Sequence, residues 1–358
     1  MAPPLPDGPA RMRALAATLP DALESGYRSG RRLALPSTGV SPRFVAVGMG
    51  GSGIAADLAR GLVDAESAAT LSVVRSPDLP GSVNRHTDVL LVSYSGDTWE
   101  TLVAYDAAGR AGARRTVITS GGALLERARQ DGVPVLGVPS GLPPRSAVGH
   151  LLGGVLGLLD PTFPESLEER VSRAAKATRA RIRDYARKVG PAATLARQVG
   201  DRLPFVYAEH SFVPLARRWK TQVEENAKRL AVFDEVPELF HNALVGWDAL
   251  SGADANRPFV VLLEWSGESE LVRTSFRYLE RLLRSKAVPT ARASLSSDDR
   301  LEALVVGIAL GDHLSLFLAD RRGVDPYPVD AIVRLKSSIR TPTAPRRASR
   351  SRPRRPRA

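Results

Sequence analysis

Cysteine is absent from the 358 residues, which excludes disulfides, thiolate metal ligands and a cysteine nucleophile, and fits a reducing cytoplasm. Histidine is scarce, with five in all. Four of them, His86, His150, His210 and His313, show no metal-ligand spacing with one another or with acids, so they are read as structural and no metal site is expected. Long apolar runs are missing. The most hydrophobic stretch, residues 151–159, is nine residues long, about half of what a bilayer span requires, and is expected to be a buried helix. Residues 1–20 carry prolines and an acid but no apolar run long enough for a secretory signal. A cytoplasmic location without a membrane partner is therefore expected.

What is present suits a globular chain of about two domains: 43% hydrophobic and 25% charged residues at a length that allows a large core. The net charge of +12 points at first to nucleic acid or an anionic surface. However, residues 341–358 hold seven arginines and no acid, and setting those seven aside lowers the balance to +5. That segment is too poor in apolar residues to pack, so a disordered tail is expected. Nothing else in the chain supports a nucleic-acid partner.

Between residues 43 and 139 short β-branched runs (44–47, 71–74, 89–92, 115–119, 135–138) alternate with helix-like stretches (54–63, 99–111, 123–131). That alternation predicts an α/β, doubly wound parallel sheet. Residues 151–159 supply one helix and 167–188 a longer, exposed one. A second alternating unit follows, with strands at 205–208, 259–263 and 290–295, helices at 214–230, 270–285 and 301–318, and a short last helix at 330–339. The expected organisation is an N-terminal domain over 1–160, a helical connector over 161–200, a C-terminal domain over 201–340 and the tail 341–358. The two halves read as topological copies, although Ser266-Gly267-Glu268-Ser269 only faintly echoes Ser95-Gly96-Asp97-Thr98.

Two segments sit where a strand pattern gives way to a helix pattern: Gly48-Met49-Gly50-Gly51-Ser52-Gly53 and Ser93-Tyr94-Ser95-Gly96-Asp97-Thr98. Backbone N–H groups at a helix start face an anion readily, and glycines let the backbone approach it closely. Gly51, Ser52, Gly53, Ser93, Ser95 and Thr98 therefore form a candidate phosphate cradle. Gly48 to Gly53 also fits the dinucleotide fingerprint, but the second strand ends in Arg75 where that fingerprint wants an acid. A dinucleotide does not account for the hydroxyl-rich second loop either. Helix capping without a ligand remains the third reading.

These residues resemble the sugar isomerase (SIS) superfamily and, within it, the bifunctional phosphoglucose/phosphomannose isomerases. Besides the two loops, the resemblance rests on Pro143-Pro144-Arg145-Ser146-Ala147, on Lys220-Thr221-Gln222-Val223-Glu224-Glu225-Asn226-Ala227-Lys228, on Pro237-Glu238-Leu239-Phe240-His241-Asn242, and on Asp325-Pro326-Tyr327-Pro328-Val329 leading to Lys336. All six motifs stand in the family's order. The resemblance implies two flavodoxin-like SIS domains, a phosphorylated hexose substrate, a homodimer with a shared active site, and no metal or organic cofactor. It implies aldose–ketose isomerisation through a cis-enediol, with Glu225 as the base. His241 and Lys336 match residues that assist ring opening, the histidine coming from the partner subunit, and Arg145 matches an arginine that stabilises the enediolate. Glu224, about 100° away around the helix, is expected to pair with Lys220 or Lys228 instead.

Two departures stand out. The family's His-Asn-Glu is His241-Asn242-Ala243 here, preceded by Phe240 rather than asparagine, and its Asn-Glu-Asn is Glu224-Glu225-Asn226. Loss of the acid beside His241 predicts reduced or narrowed activity. A non-catalytic phosphosugar sensor is the alternative reading. Against a DNA-binding sensor, no helix-turn-helix pattern precedes the first unit. An NADP-dependent oxidoreductase would need a nicotinamide pocket that the sequence does not reveal.

Overall fold

The computed structural model describes residues 7–33, 42–295 and 297–338, so the arginine-rich segment 341–358 lies outside the described residues. Two units are distinguished, Met1–Tyr327 and Pro328–Ala358. In the first, α1 (Gly8–Ala17) and α2 (Leu19–Arg32) precede a sheet formed by β1 (Arg43–Val47), β2 (Thr70–Val74), β3 (Thr87–Val92), β4 (Arg114–Thr119) and β5 (Val135–Gly137). Its helical crossovers are α3 (Gly50–Glu66), α4 (Trp99–Arg110) and α5 (Gly122–Gln130). All pairings are parallel and the spatial order is β2-β1-β3-β4-β5. This is the flavodoxin-like order.

Helices α6 (Val148–Leu159), α7 (Glu168–Tyr185) and α8 (Pro191–Val199) lead to β6 (Leu203–Glu209), α9 (Val213–Ala227), β7 (Val232–Val236), α10 (Ala243–Ala249), β8 (Pro258–Glu264), α11 (Glu270–Ser285), β9 (Thr290–Ser294) and α12 (Arg300–Arg322). The second sheet is also parallel, ordered β7-β6-β8-β9. The expected α/β class with two parallel sheets is thus observed. The second unit holds α13 (Asp330–Ser338), whose described side chains are exposed.

Strands covered by helices on both faces lose the polar alternation of a one-sided sheet. All six residues of β3 are buried accordingly, and Asp88 is tolerated there because Arg114 Nε donates to it at 2.7 Å. One expectation is corrected: the helix placed at 167–188 is not simply exposed. α7 buries Val171, Ala174, Ala175, Thr178 and Tyr185 and packs against α12. α12 is long and apolar enough to cross a membrane by composition, yet most of it is buried inside the fold as a core helix.

The N-terminal helices have no counterpart in the expected pattern. α2 docks on α6 through glycines. A Cβ on Gly26 would lie 2.3 Å from the His150 carbonyl oxygen, and one on Gly153 would lie 2.2 Å from that of Leu23. Only backbones that lack side chains at these points can approach so closely. Tyr27 then donates its hydroxyl to Asp160 at 2.6 Å, tying α2 to the end of α6.

Candidate active site

In an open parallel sheet, ligands settle beyond the carboxyl ends of the strands where strand order reverses. In the first sheet that point lies between β1 and β3. The loops leaving those two strands are the two glycine- and serine-bearing segments. Ser52 Oγ accepts from the Tyr94 amide at 3.0 Å, which fastens one loop to the other. Within the second loop Ser93 accepts from the Gly96 amide at 3.1 Å and donates to Thr98 Oγ1 at 2.9 Å. Ser93 is therefore occupied in holding the loop. Ser52, Ser95 and Thr98 act as acceptors here, leaving hydroxyl hydrogens for an anion. Gly96 requires its φ of 73° and the absence of a side chain, since a Cβ would lie 1.8 Å from the Gly121 carbonyl oxygen.

Gly51 connects this cradle to the rest of the site. A Cβ there would approach the Pro144 carbonyl oxygen to 3.0 Å, so the start of α3 lies directly against the short 3-10 turn Pro144–Ala147. That turn carries Arg145. Its side chain is 3% exposed, with Nε donating to Asn226 at 2.8 Å and Nη2 donating to the carbonyls of Pro326 and Tyr327 at 2.7 and 2.9 Å. Nη1 is turned toward Glu225, 3.5 Å from Oε2.

Glu225 occupies the last turn of α9, which ends at Lys228 in the left-handed conformation with φ 52°. Lys228 Nζ caps the helix by donating to the Glu225 carbonyl at 2.5 Å. The Glu225 side chain remains a quarter exposed, so the carboxylate faces both Arg145 and an approach path. Burial pushes its pKa above the ordinary carboxylate range, while Arg145, then Arg218 and Lys228, oppose that rise. Burial likewise lowers the Arg145 guanidinium. Glu224 pairs with Lys220 at 2.7 Å, as its place on the helix predicts.

Behind these groups lies a polar network that the sequence reading missed. Arg218 donates to both carboxylate oxygens of Asp312 at 2.8 Å and to the Arg145 carbonyl at 3.3 Å. Gln222 donates to Asp312 and Asn226 to Ser315, each at 2.8 Å. The available signal was the i, i+4, i+8 spacing of Arg218, Gln222 and Asn226 on one helix face. A lone acid inside the apolar run of α12 was the other.

Of the remaining candidates, His241 lies apart within the first unit. His241 is exposed in the 3-10 turn Glu238–His241, beyond the carboxyl end of β7. Because α9 runs antiparallel to the strands it connects, Glu225 lies near the other end of β7. The length of a five-residue strand, roughly 16 Å, lies between those two ends. Lys336 is exposed in the last turn of α13, within the second unit. Ala243 opens α10, its amide donating to the Asn242 side chain at 2.5 Å.

The second sheet has its own switch point, between β6 and β8, but its chemistry is opposite to that of the first. Glu209, Glu264 and Glu268 gather there, and Trp265 Nε1 donates to Glu209 at 2.8 Å. Glu268, in the faint echo of the phosphate loop, is 3% exposed, and neither of its carboxylate oxygens makes a hydrogen bond with a described residue. Its pKa is raised to about 7, first by burial and then by Glu264. A folded-state pKa above the unfolded value means that the folded state binds the extra proton between about pH 4.5 and 7, so stability falls as pH rises through that window. Glu268→Gln is expected to stabilise the chain by ~1–3 kcal/mol at pH 8 and hardly at all at pH 4.5. Denaturant midpoints at the two values check this; an equal effect at both would remove the carboxylate as the cause.

A family profile described as the bacterial phospho-glucose isomerase C-terminal SIS domain matches residues 188–339. A bifunctional phosphoglucose/phosphomannose isomerase from Aquifex aeolicus is 32% identical over 302 residues, covering 83% of this chain and 90% of that protein. The chain belongs to this family. Another bifunctional phosphoglucose/phosphomannose isomerase, from Thermoplasma acidophilum, is 33% identical over 312 residues, 84% of this chain and 91% of its own length. Among solved structures, tagatose-6-phosphate ketose/aldose isomerase from Escherichia coli superposes with a TM-score of 0.68 at 17% identity, covering 88% of this chain and 94% of that one. That likeness is one of fold. At the first switch point the hydroxyl-bearing loops and the Arg145–Glu225 pair adjoin.

Proposed function

We propose that the protein is an aldose–ketose isomerase that interconverts fructose 6-phosphate with glucose 6-phosphate, mannose 6-phosphate or both. The observation that carries this is the partly buried Glu225 carboxylate 3.5 Å from the fixed Arg145 guanidinium, beside a two-loop anion cradle. With Gly51, Ser52, Gly53, Ser95 and Thr98 around the phosphate and Ser93 bracing their loop, the open-chain sugar extends toward Glu225. The carboxylate removes the proton from the carbon beside the carbonyl, giving a cis-enediol(ate), and returns it to the neighbouring carbon, while the hydroxyl proton passes from one oxygen of the enediol(ate) to the other. One carbon is oxidised as its neighbour is reduced, so electrons balance within the substrate. Arg145 is suited to stabilise the developing oxyanion because Nε and Nη2 are already held by Asn226, Pro326 and Tyr327, leaving Nη1 oriented without reorganisation.

Ring opening requires a proton donor and acceptor that Glu225 does not supply. His241, at the far end of β7, is assigned to that role in the site of a second copy, so the working form is a homodimer. Lys336 assists ring opening by the same family correspondence. Soluble protein assayed with fructose 6-phosphate, reading glucose 6-phosphate and mannose 6-phosphate separately, tests the proposal. Binding without turnover would favour the sensor.

The base works only when deprotonated, so kcat/KM is expected to fall as pH drops through the raised Glu225 pKa, at a higher pH than an ordinary glutamate gives. Removing the largest opposing charge, by Arg145→Gln, moves that acidic limb further up. A limb that stays in place in the variant would mean that another group titrates. Restoring the family acid by Ala243→Glu is expected to raise turnover on closed-ring sugar severalfold. No gain over wild type on ring-closed substrate would dissociate the Ala243 departure from ring opening.

A further inference from the structure

A cluster of charge lies on the flank of the first sheet, along the edge strand β2 and apart from the loop hydroxyls. Asp57 on α3, 2% exposed, is approached by three guanidinium groups. Arg75, just after β2, donates to its Oδ2; Arg217 on α9 donates to the same oxygen at 3.2 Å; Arg60, one turn along α3, comes within 3.8 Å of Oδ1. Arg60 Nη1 is also 3.8 Å from Asp64. These groups line a cleft of about 460 Å³, within the range of small-ligand sites.

The cluster is under-compensated in charge and in hydrogen bonds. Three cations face two carboxylates, and burial raises the pKa of Asp64. Burial, and next the like charge of Arg75, lower the Arg217 guanidinium. Arg60 makes no hydrogen bond among the described residues, and its Nε and that of Arg217 are shielded from water without a hydrogen-bond partner there. Guanidinium forks match the geometry of a phosphate group, which offers several acceptor oxygens and up to two negative charges at once.

We propose that this cleft binds a phosphate-bearing small molecule at a site separate from the catalytic one, with Arg60 and Arg217 as its principal donors. Arg75 stays on Asp57 and also reaches the Gly53 carbonyl at 3.5 Å, so the cleft shares helix α3 with the phosphate loop without using that loop's hydroxyls. Binding at this site does not depend on the proposed isomerase activity.

Calorimetric titration of the full chain with inorganic pyrophosphate tests the site, with and without saturating fructose 6-phosphate. With saturating fructose 6-phosphate filling the loop cradle, one equivalent is expected to bind. Arg60→Gln is expected to weaken pyrophosphate at least tenfold while leaving fructose 6-phosphate affinity unchanged. Arg217→Gln, checked for folding by thermal denaturation, should behave alike. Absence of pyrophosphate binding under saturating fructose 6-phosphate, or unchanged affinity in Arg60→Gln under that condition, overturns the assignment. Failure to bind fructose 6-phosphate while pyrophosphate binding still depends on Arg60 would instead count against the isomerase reading alone.

Discussion

Glu225→Gln is expected to lower kcat by about 10²–10⁴-fold, the usual range for loss of a positioned acid–base group, while KM for fructose 6-phosphate changes little. The amide preserves the volume and hydrogen-bonding reach of the carboxylate but cannot take the carbon-bound proton. Folding should survive. Burial already disfavours the charge on Glu225, and Arg145 keeps its bonds to Asn226, Pro326 and Tyr327 when Nη1 loses its 3.5 Å neighbour. Glu224→Gln is the natural control. That residue pairs with Lys220 at i, i+4 in a partly exposed position, an arrangement worth ~0.3–0.5 kcal/mol. Its loss should leave turnover intact. Coupled assays and thermal denaturation of both variants separate chemistry from folding. Retention of more than a tenth of wild-type kcat by Glu225→Gln would place the proton transfer on another group.

The two variants differ in outcome because adjacent residues on one helix face different surroundings, and this marks how far the sequence could be read. Strand–helix alternation was legible wherever strands are covered on both faces, since burial forces continuous apolar runs such as residues 89–92. The two loops were legible because glycine and hydroxyl side chains interrupt those runs at the strand ends. β7 escaped notice as a half-buried edge strand, Val232–Val236, whose Asp234 and Glu235 break the apolar pattern. The end of α9 was equally hidden. A lysine rather than a glycine takes the left-handed position at 228, so nothing in the sequence stopped the expected helix short of 230. Likewise α2 carries two glycines that read as poor helix formers in isolation. Their value appears only when α6 supplies backbone for them to meet. Residue roles divide along the same line: Glu225 and Arg145 stood in recognisable motifs, whereas Arg218 and Asp312 are coupled across 94 residues of chain.

That coupling sets the largest expected effect on stability. Arg218 is 1% exposed and is held by both oxygens of Asp312, which also accepts from Gln222. Asp312→Ala leaves a guanidinium buried without its counter-charge and is expected to cost about 3–5 kcal/mol. Replacing the pair together, by Arg218→Met with Asp312→Leu, removes both desolvated charges at once. The double variant should therefore recover most of the lost stability in urea denaturation. Activity should not recover with it, because Arg218 also donates to the Arg145 carbonyl at 3.3 Å and helps to fix the turn that aims Nη1 at Glu225. The expected signature is a double variant near wild-type stability with kcat reduced at least tenfold. If kcat returns with stability, Arg145 is positioned by Asn226 and the Pro326 and Tyr327 carbonyls alone, and the buried pair serves only the fold. If the single Asp312→Ala variant loses less than about 1 kcal/mol, as an exposed pair would, Arg218 is not confined in the interior as its geometry requires.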